Sequence, residues 1–134
     1  MFLIQFDACN RSFIGLASVG FVVYYEDNII YKHYSIINDD VPNSNYAEYK
    51  ALIKALQFAK KFNITSLLIQ GDAKIVIEQI KDNCHTKSEC IKPLLKEVKH
   101  LTANFKSIDF QHIYRKRNIM ADSLANQALY NYVE

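Results

Sequence analysis

Thr65-Ser66-Leu67-Leu68-Ile69-Gln70-Gly71-Asp72 is a short β run centred on Leu67-Leu68-Ile69 that meets a Gly-Asp pair and then a helical pattern over residues 73–81. Upstream, from Asn43 or Ser44 after Pro42 to about Phe62, Ala47, Ala51, Leu52, Ala55 and Ala59 recur at helical spacing. A strand held between two helices is reached by a crossover, which sets it parallel to an earlier strand. A strand of the right character lies at residues 2–8, apolar on both alternating faces and ending at Asp7. Val19 to Tyr25 and Ile29 to Ile37 are rich in Val, Ile, Tyr and Phe and are separated by Glu26-Asp27-Asn28, a hairpin signal. The chain therefore opens with a three-stranded antiparallel meander. Downstream, Pro93 stands near the start of a helix through Leu94, Leu95, Val98 and Leu101. Ile108 to Tyr114 alternates as a strand, and Asn118 opens a last helix through Ala121, Leu124, Ala125, Ala128 and Leu129. The order βββαβααβα predicts an α/β fold: a five-stranded mixed sheet, its first three strands antiparallel, flanked by helices.

The 134 residues, half of them hydrophobic and 22% charged, amount to a single domain over residues 1–134. A chain of this size buries roughly two-thirds of the surface it exposes when unfolded, so it needs no metal or disulfide staples. Disordered, collagen-like and disulfide-scaffold classes fail on composition. No apolar run approaches the roughly 20 residues of a membrane span, and Gln5 and Asp7 break the apolar start, so the expectation is a cytoplasmic or otherwise intracellular protein with no membrane partner. The three cysteines, Cys9, Cys84 and Cys90, are an odd, sparse set that fits reduced thiols with no disulfide partner. Cys84-His85, Cys90 and His100 match no standard zinc spacing and read as isolated side chains.

Four acids sit in awkward places. Asp7 is the only charge in the first ten residues and ends a buried-looking strand. Glu48 shares a helical stripe with Leu52, Ala55 and Ala59 and points along the apolar face. Asp72 follows Gly71 where a strand becomes a helix, and Asp122 aligns with Ala125 and Leu129 on the apolar side of the last helix. Each has a structural explanation: a strand end for Asp7, the helix dipole for Glu48 and Asp122, a cap for Asp72. Jointly those explanations weaken, because strand ends and first helical turns of an open α/β sheet converge on one crevice. Carboxylates gathered there repel unless cations neutralise them, and hard divalent ions with oxygen ligands are the remedy. Two such ions roughly 4 Å apart would stabilise attacking water and leaving oxygen at a phosphodiester.

The segments Phe6-Asp7, Asn45-Tyr46-Ala47-Glu48-Tyr49-Lys50-Ala51-Leu52, Gly71-Asp72 and Arg115-Lys116-Arg117-Asn118-Ile119-Met120-Ala121-Asp122-Ser123-Leu124-Ala125-Asn126-Gln127-Ala128 resemble a type 1 ribonuclease H of the compact plant and archaeal kind. The likeness covers nearly the whole chain. It implies a ribonuclease H-like fold in which Asp7, Glu48, Asp72 and Asp122 are catalytic and hold two magnesium ions, with manganese as a substitute. It further implies endonucleolytic cleavage of the RNA strand of an RNA–DNA hybrid, leaving a 5′-phosphate and a 3′-hydroxyl. The chain departs from the family at Ala8, where Gly is usual, at Ser12-Phe13-Ile14-Gly15 in place of a Gly-Asn-Pro-Gly turn that helps grip RNA 2′-hydroxyls, and at Ala73, where Ser is usual. Arg115-Lys116-Arg117 stands where many relatives carry a mobile histidine, and His112 is expected in the preceding strand.

The net charge of +2 hides an uneven distribution: residues 81–117 carry nine Lys or Arg against four acids. Such an excess suits phosphate contacts that position a duplex without reading bases, although Lys92, Lys96 and Lys99 also suit a solvated helix face. Arg115, Lys116 and Arg117, close before Asp122, are expected from their charge to contact nucleic acid; from the resemblance, Asn10, Ser44 and Asn45 are expected to do so too, and Arg115 to assist release of product or metal. Most of the nine tyrosines alternate within strands or sit at helix ends, which suits packing more than base stacking. The leading expectation is thus a monomeric, magnesium-dependent ribonuclease H. The alternatives are a nucleic-acid-binding module of the same fold with weak or lost activity, and a same-fold nuclease acting on another duplex.

Overall fold

The computed structural model describes residues 1–11, 14–38, 40–82 and 86–133. Three strands open the chain: β1 (Phe2–Arg11), β2 (Leu16–Tyr25) and β3 (Asn28–Ile37). They pair antiparallel from Phe2↔Tyr25 to Arg11↔Leu16 and from Tyr25↔Asn28 to Ala17↔Ile37. The hairpin between β2 and β3 closes through two residues, Glu26 and Asp27, both at positive φ (51° and 70°). Two left-handed central residues match the right-handed twist of the strands, so Asn28 is released into β3. Helix α1 (Ser44–Lys61) follows, then β4 (Ser66–Gly71), α2 (Lys74–Lys81), α3 (Lys92–Thr102), β5 (Ser107–His112) and α4 (Ile119–Val133). The sheet order is β3-β2-β1-β4-β5, with β1, β4 and β5 mutually parallel. The predicted order of elements and the mixed sheet are thus observed.

Local chemistry explains the boundaries of α1. Asn43, in extended conformation, accepts a 2.9 Å hydrogen bond from the Tyr46 backbone N–H through its side chain and so caps the helix. At the other end Asn63 turns left-handed (φ 58°). Ala47, Ala51, Leu52, Ala55, Leu56 and Ala59 are buried against β1 and β2, the alanines letting helix and sheet approach closely. Even-numbered residues of β1, Ile4 and Phe6, belong to this main core, whereas Cys9 packs with Ala125 and Leu129 of α4. Because successive strand residues face opposite sides, α1 and α4 cover opposite faces of the sheet. No described helix is long and apolar enough to cross a membrane.

The approach of α4 is set by one residue. A Cβ built on Gly20 would lie 2.5 Å from the Ala125 nitrogen and 2.8 Å from the Ala121 oxygen, both backbone atoms. Ser18, also on β2, donates a 2.5 Å hydrogen bond to the Ala125 carbonyl. Gly20 pairs directly with Asp7, and Asp122 lies between Ala121 and Ala125, so this close crossing fixes the distance between two of the four acids. Gly20→Ala is expected to cost about 1–3 kcal/mol, because helix backbone cannot yield as a side chain can. A thermal melt should show a fall of several degrees. An unchanged melting temperature would mean that α4 is not held by this contact.

Candidate metal and nucleic-acid site

The parallel ladder between β1 and β4 stops at Phe6↔Gly71, while β1 continues four residues beyond Asp7 alongside β2. Asp7 is therefore not at a strand end, as the sequence reading had it; it sits where one neighbour falls away and the other persists. That opening is the crevice at the carboxyl ends of the parallel strands. Into it come Asp72, just past β4, Glu48 from α1 and Asp122 from α4.

Three of the acids form a tight group: carboxylate oxygens of Asp7, Glu48 and Asp72 lie within 4.8 Å of one another. All four acids line one cavity of about 260 Å³, together with Asn10 and Arg115. Larger depressions exist elsewhere, one of about 620 Å³ beside β5 and one of about 460 Å³ along Lys92, Lys96 and Lys99, but neither contains the acids.

Two structural explanations for the acids fail here. Asp72 does not cap α2: that helix starts from Ala73 and has no side-chain cap. Glu48 is the fifth residue of α1, past the first turn, where no acid stands. Only Asp122 occupies a first helical turn.

Electrostatics register the crowding. Asp7 is only 4% exposed. Burial, reinforced by the Asp72 charge, pushes its carboxyl up to about 7, against the 2.9 Å hydrogen bond from the Ala8 N–H, which acts the other way. Burial pushes Glu48 well above the usual carboxylate range, with Asp7 and Asp72 adding to the rise. Glu48 as a residue is half-buried, yet its Oε1 is sealed from solvent and has no hydrogen-bond partner. A buried carboxylate oxygen without a donor needs a proton or a cation. The donor set is all oxygen, which fits a hard divalent ion and not zinc held by sulfur and nitrogen.

The sequence reading missed two asparagines that hold these acids. Asn118, fully buried just before α4, donates to the Phe6 carbonyl at 2.9 Å and to Asp72 Oδ2 at 3.3 Å. It thus ties the last residue of the β1–β4 ladder to the acid beyond it. Asn126, one turn after Asp122, donates to the Asp122 carbonyl at 2.9 Å and to its Oδ1 at 3.3 Å. A buried Asn is the available signal for the first, but only its burial separates it from a helix cap.

The expected substrate contacts divide. Asn10, Ser44 and Arg115 line the acidic cavity, and an Arg115 guanidinium nitrogen stands 3.9 Å from Asp122 Oδ1. Lys116 and Arg117 share a 3₁₀ turn with Arg115, exposed outside the cavity wall, and Asn45 is half-buried in the first turn of α1. His112 ends β5 with its ring edge-on to Tyr114, whose side chain is exposed. In the turn at 12–15, Ser12 and Phe13 lie outside the described residues, as do Cys84 and His85 of the zinc question. The described cysteines, Cys9 and Cys90, are free thiols.

Residues 5–128 match the family described as reverse transcriptase-like. A bifunctional protein of Mycobacterium tuberculosis, Rv2228c, is 31% identical over 127 residues, which span 95% of this chain and 35% of that one. The chain thus covers about a third of the length of its mycobacterial relatives. The crystal structure of RNase H1 from the archaeon Halobacterium salinarum superposes with a TM-score of 0.89 at 30% identity, over 97% of this chain and 98% of that one. LC11-RNase H1, solved in complex with an RNA/DNA hybrid, shares the fold over the whole of both chains at a TM-score of 0.89 and 24% identity. With residues 5–128 matched by that family and the fold shared over 97% of the chain with the crystallised archaeal RNase H1, the chain belongs to the reverse transcriptase-like family.

Proposed function

We propose that this domain is a divalent-metal-dependent endoribonuclease that cuts the RNA strand of RNA–DNA hybrids, leaving a 5′-phosphate and a 3′-hydroxyl. The observation that carries the reading is the meeting of carboxylate oxygens of Asp7, Glu48 and Asp72 within 4.8 Å, with one Glu48 oxygen buried and unpartnered. With Asp122 beside them, the four carboxylates would hold two magnesium ions, or manganese in their place. Bound there, the ions would supply an activated water and offset the charge developing on the leaving 3′-oxygen. Asp7 and Glu48, whose carboxyls burial holds above the usual range, would have to give up their protons to act as ligands, and Asn118 holds Asp72 against the end of the β1–β4 ladder. Asn10 and Ser44 on the cavity wall are suited to the RNA backbone, where a 2′-hydroxyl distinguishes RNA from DNA. Arg115, exposed beside Asp122, has the charge to meet a phosphate and to ease its departure. Lys116 and Arg117 continue that basic rim. The hybrid bound by LC11-RNase H1 supports the substrate class.

The test is cleavage of an end-labelled RNA–DNA hybrid with and without magnesium or manganese, beside RNA–RNA and DNA–DNA duplexes. Metal-dependent cutting confined to the RNA of the hybrid is expected. No product from the wild type, equal cutting by Asp72→Asn, or preference for another duplex would each overturn the proposal.

A further inference from the structure

Asp122 is not part of the tight group of three, and its carboxylate is held by a different set of partners. Asn126 Nδ2 reaches both the Asp122 carbonyl (2.9 Å) and Oδ1 (3.3 Å). The Oδ1 of the same amide accepts from an Arg11 guanidinium nitrogen and from the Cys9 thiol, each at 3.4 Å. The chemistry of the ends fixes the orientation of the amide between them. A guanidinium only donates, while a carbonyl and an ionised carboxylate only accept, so a flipped Asn126 would lose both contacts. Arg11 is the last residue of β1 and lies on the wall of the acidic cavity. The continuation of β1 past Asp7 is what brings it there, four residues along the strand that carries the first acid.

We infer that Arg11 and Asn126 are positioning residues for Asp122, a guanidinium–amide–carboxylate relay that orients the one acid outside the tight group toward the cation it helps to hold. The inference rests on the metal site proposed above. Asn126 sits one turn below Asp122 on α4 and confines its rotamer. Arg11 polarises the amide and strengthens its hydrogen bond to Oδ1, bringing positive charge near Asp122 without occupying the space of an ion. Arg115 approaches the same Oδ1 from the exposed side at 3.9 Å, so the amide is the contact that remains if Arg115 turns to a phosphate.

Outer partners of metal ligands typically carry about 10–100-fold in metal affinity. Manganese-induced thermal stabilisation of the full chain, with no nucleic acid present, reads that affinity apart from activity. Asn126→Ala is expected to raise the manganese concentration at half-effect about tenfold, and Arg11→Met by a smaller factor in the same direction. Arg11→Lys should recover part of the loss. The double variant should be no worse than Asn126→Ala, because Arg11 acts through the amide. A manganese midpoint unchanged in Arg11→Met and Asn126→Ala, or losses that add in full, would overturn the relay while leaving the metal site intact. Absence of any manganese response in the wild type would remove the site and the relay together. Arg11 is exposed, so Arg11→Met tests the idea even if Asn126→Ala fails to fold.

Discussion

Asp7→Asn is expected to abolish metal-dependent cleavage and, in the same protein, to raise the stability of the metal-free fold. The two effects have one cause. Asp7 is buried beside Asp72 and Glu48, and burial together with the Asp72 charge has pushed its carboxyl from 3.8 up to about 7. Above that pH the folded protein holds an ionised carboxylate at a site that disfavours the charge. At about 1.4 kcal/mol per pH unit, the penalty in the absence of metal is on the order of 4 kcal/mol. An asparagine keeps the shape and the Oδ1 acceptor for the Ala8 N–H, and removes the charge. It also removes a carboxylate that an ion at the proposed site would need ionised. Catalysis that depends on electrostatic stabilisation at this point should fall at least about a hundredfold. A melt in EDTA at pH 8 and a hybrid-cleavage assay with magnesium, run on one preparation, check both halves. Activity within tenfold of wild type, or a lower melting temperature in EDTA, would contradict the arrangement.

Such a trade between stability and function explains why the elements of this fold could be read from the sequence more fully than the site. Apolar periodicity reports on burial, and burial places β1 to β5 and α1 to α4 within a few residues of where they stand. The length of β1 was not readable in that way. Residues Cys9 to Arg11 pair only with β2, and nothing local to Cys-Asn-Arg marks them as strand; the partner at Leu16 to Ser18 draws them in. Asp7 consequently looked like a strand end and is instead an interior residue losing one neighbour. The four acids stand out because carboxylates among apolar residues conflict with the pattern around them. Asn118 and Asn126 conflict with nothing. Asparagine before or within a helix fits capping or a solvated face equally well, and only the arrival of Phe6, Asp72, Cys9 and Arg11 from distant parts of the chain gives them their role. The basic excess of residues 81–117 was legible as a count but not as a place. Arg115 reaches the acidic cavity, whereas Lys92, Lys96 and Lys99 line a groove of their own.

Stability should also depend on pH in a direction opposite to the usual behaviour of paired carboxylates. Salt-bridged acids have lowered values and lose their contribution as pH falls. Asp7 is raised to about 7 and Glu48 is raised as well, so the folded state binds their protons more tightly than the unfolded chain does. The Asp7 contribution is fully present below the unfolded carboxylate value near 4 and disappears as pH rises through about 7, and that of Glu48 is lost in the same direction. For Asp7 alone the loss between pH 5 and pH 8 is about 2–3 kcal/mol in metal-free protein. A divalent ion at the proposed site would take the place of the protons and would have to displace them at low pH. Magnesium or manganese should therefore stabilise the fold strongly at pH 8 and weakly at pH 5. Melting temperatures across that range, in EDTA and in excess metal, are expected to lie close together at the acid end and to separate above pH 7. In Asp7→Asn the EDTA curve should flatten, leaving the slope due to Glu48. A metal-free melting temperature that does not fall between pH 5 and pH 8, or a metal effect larger at pH 5, would show that the folded state does not hold protons on these carboxyls more tightly than the unfolded chain does.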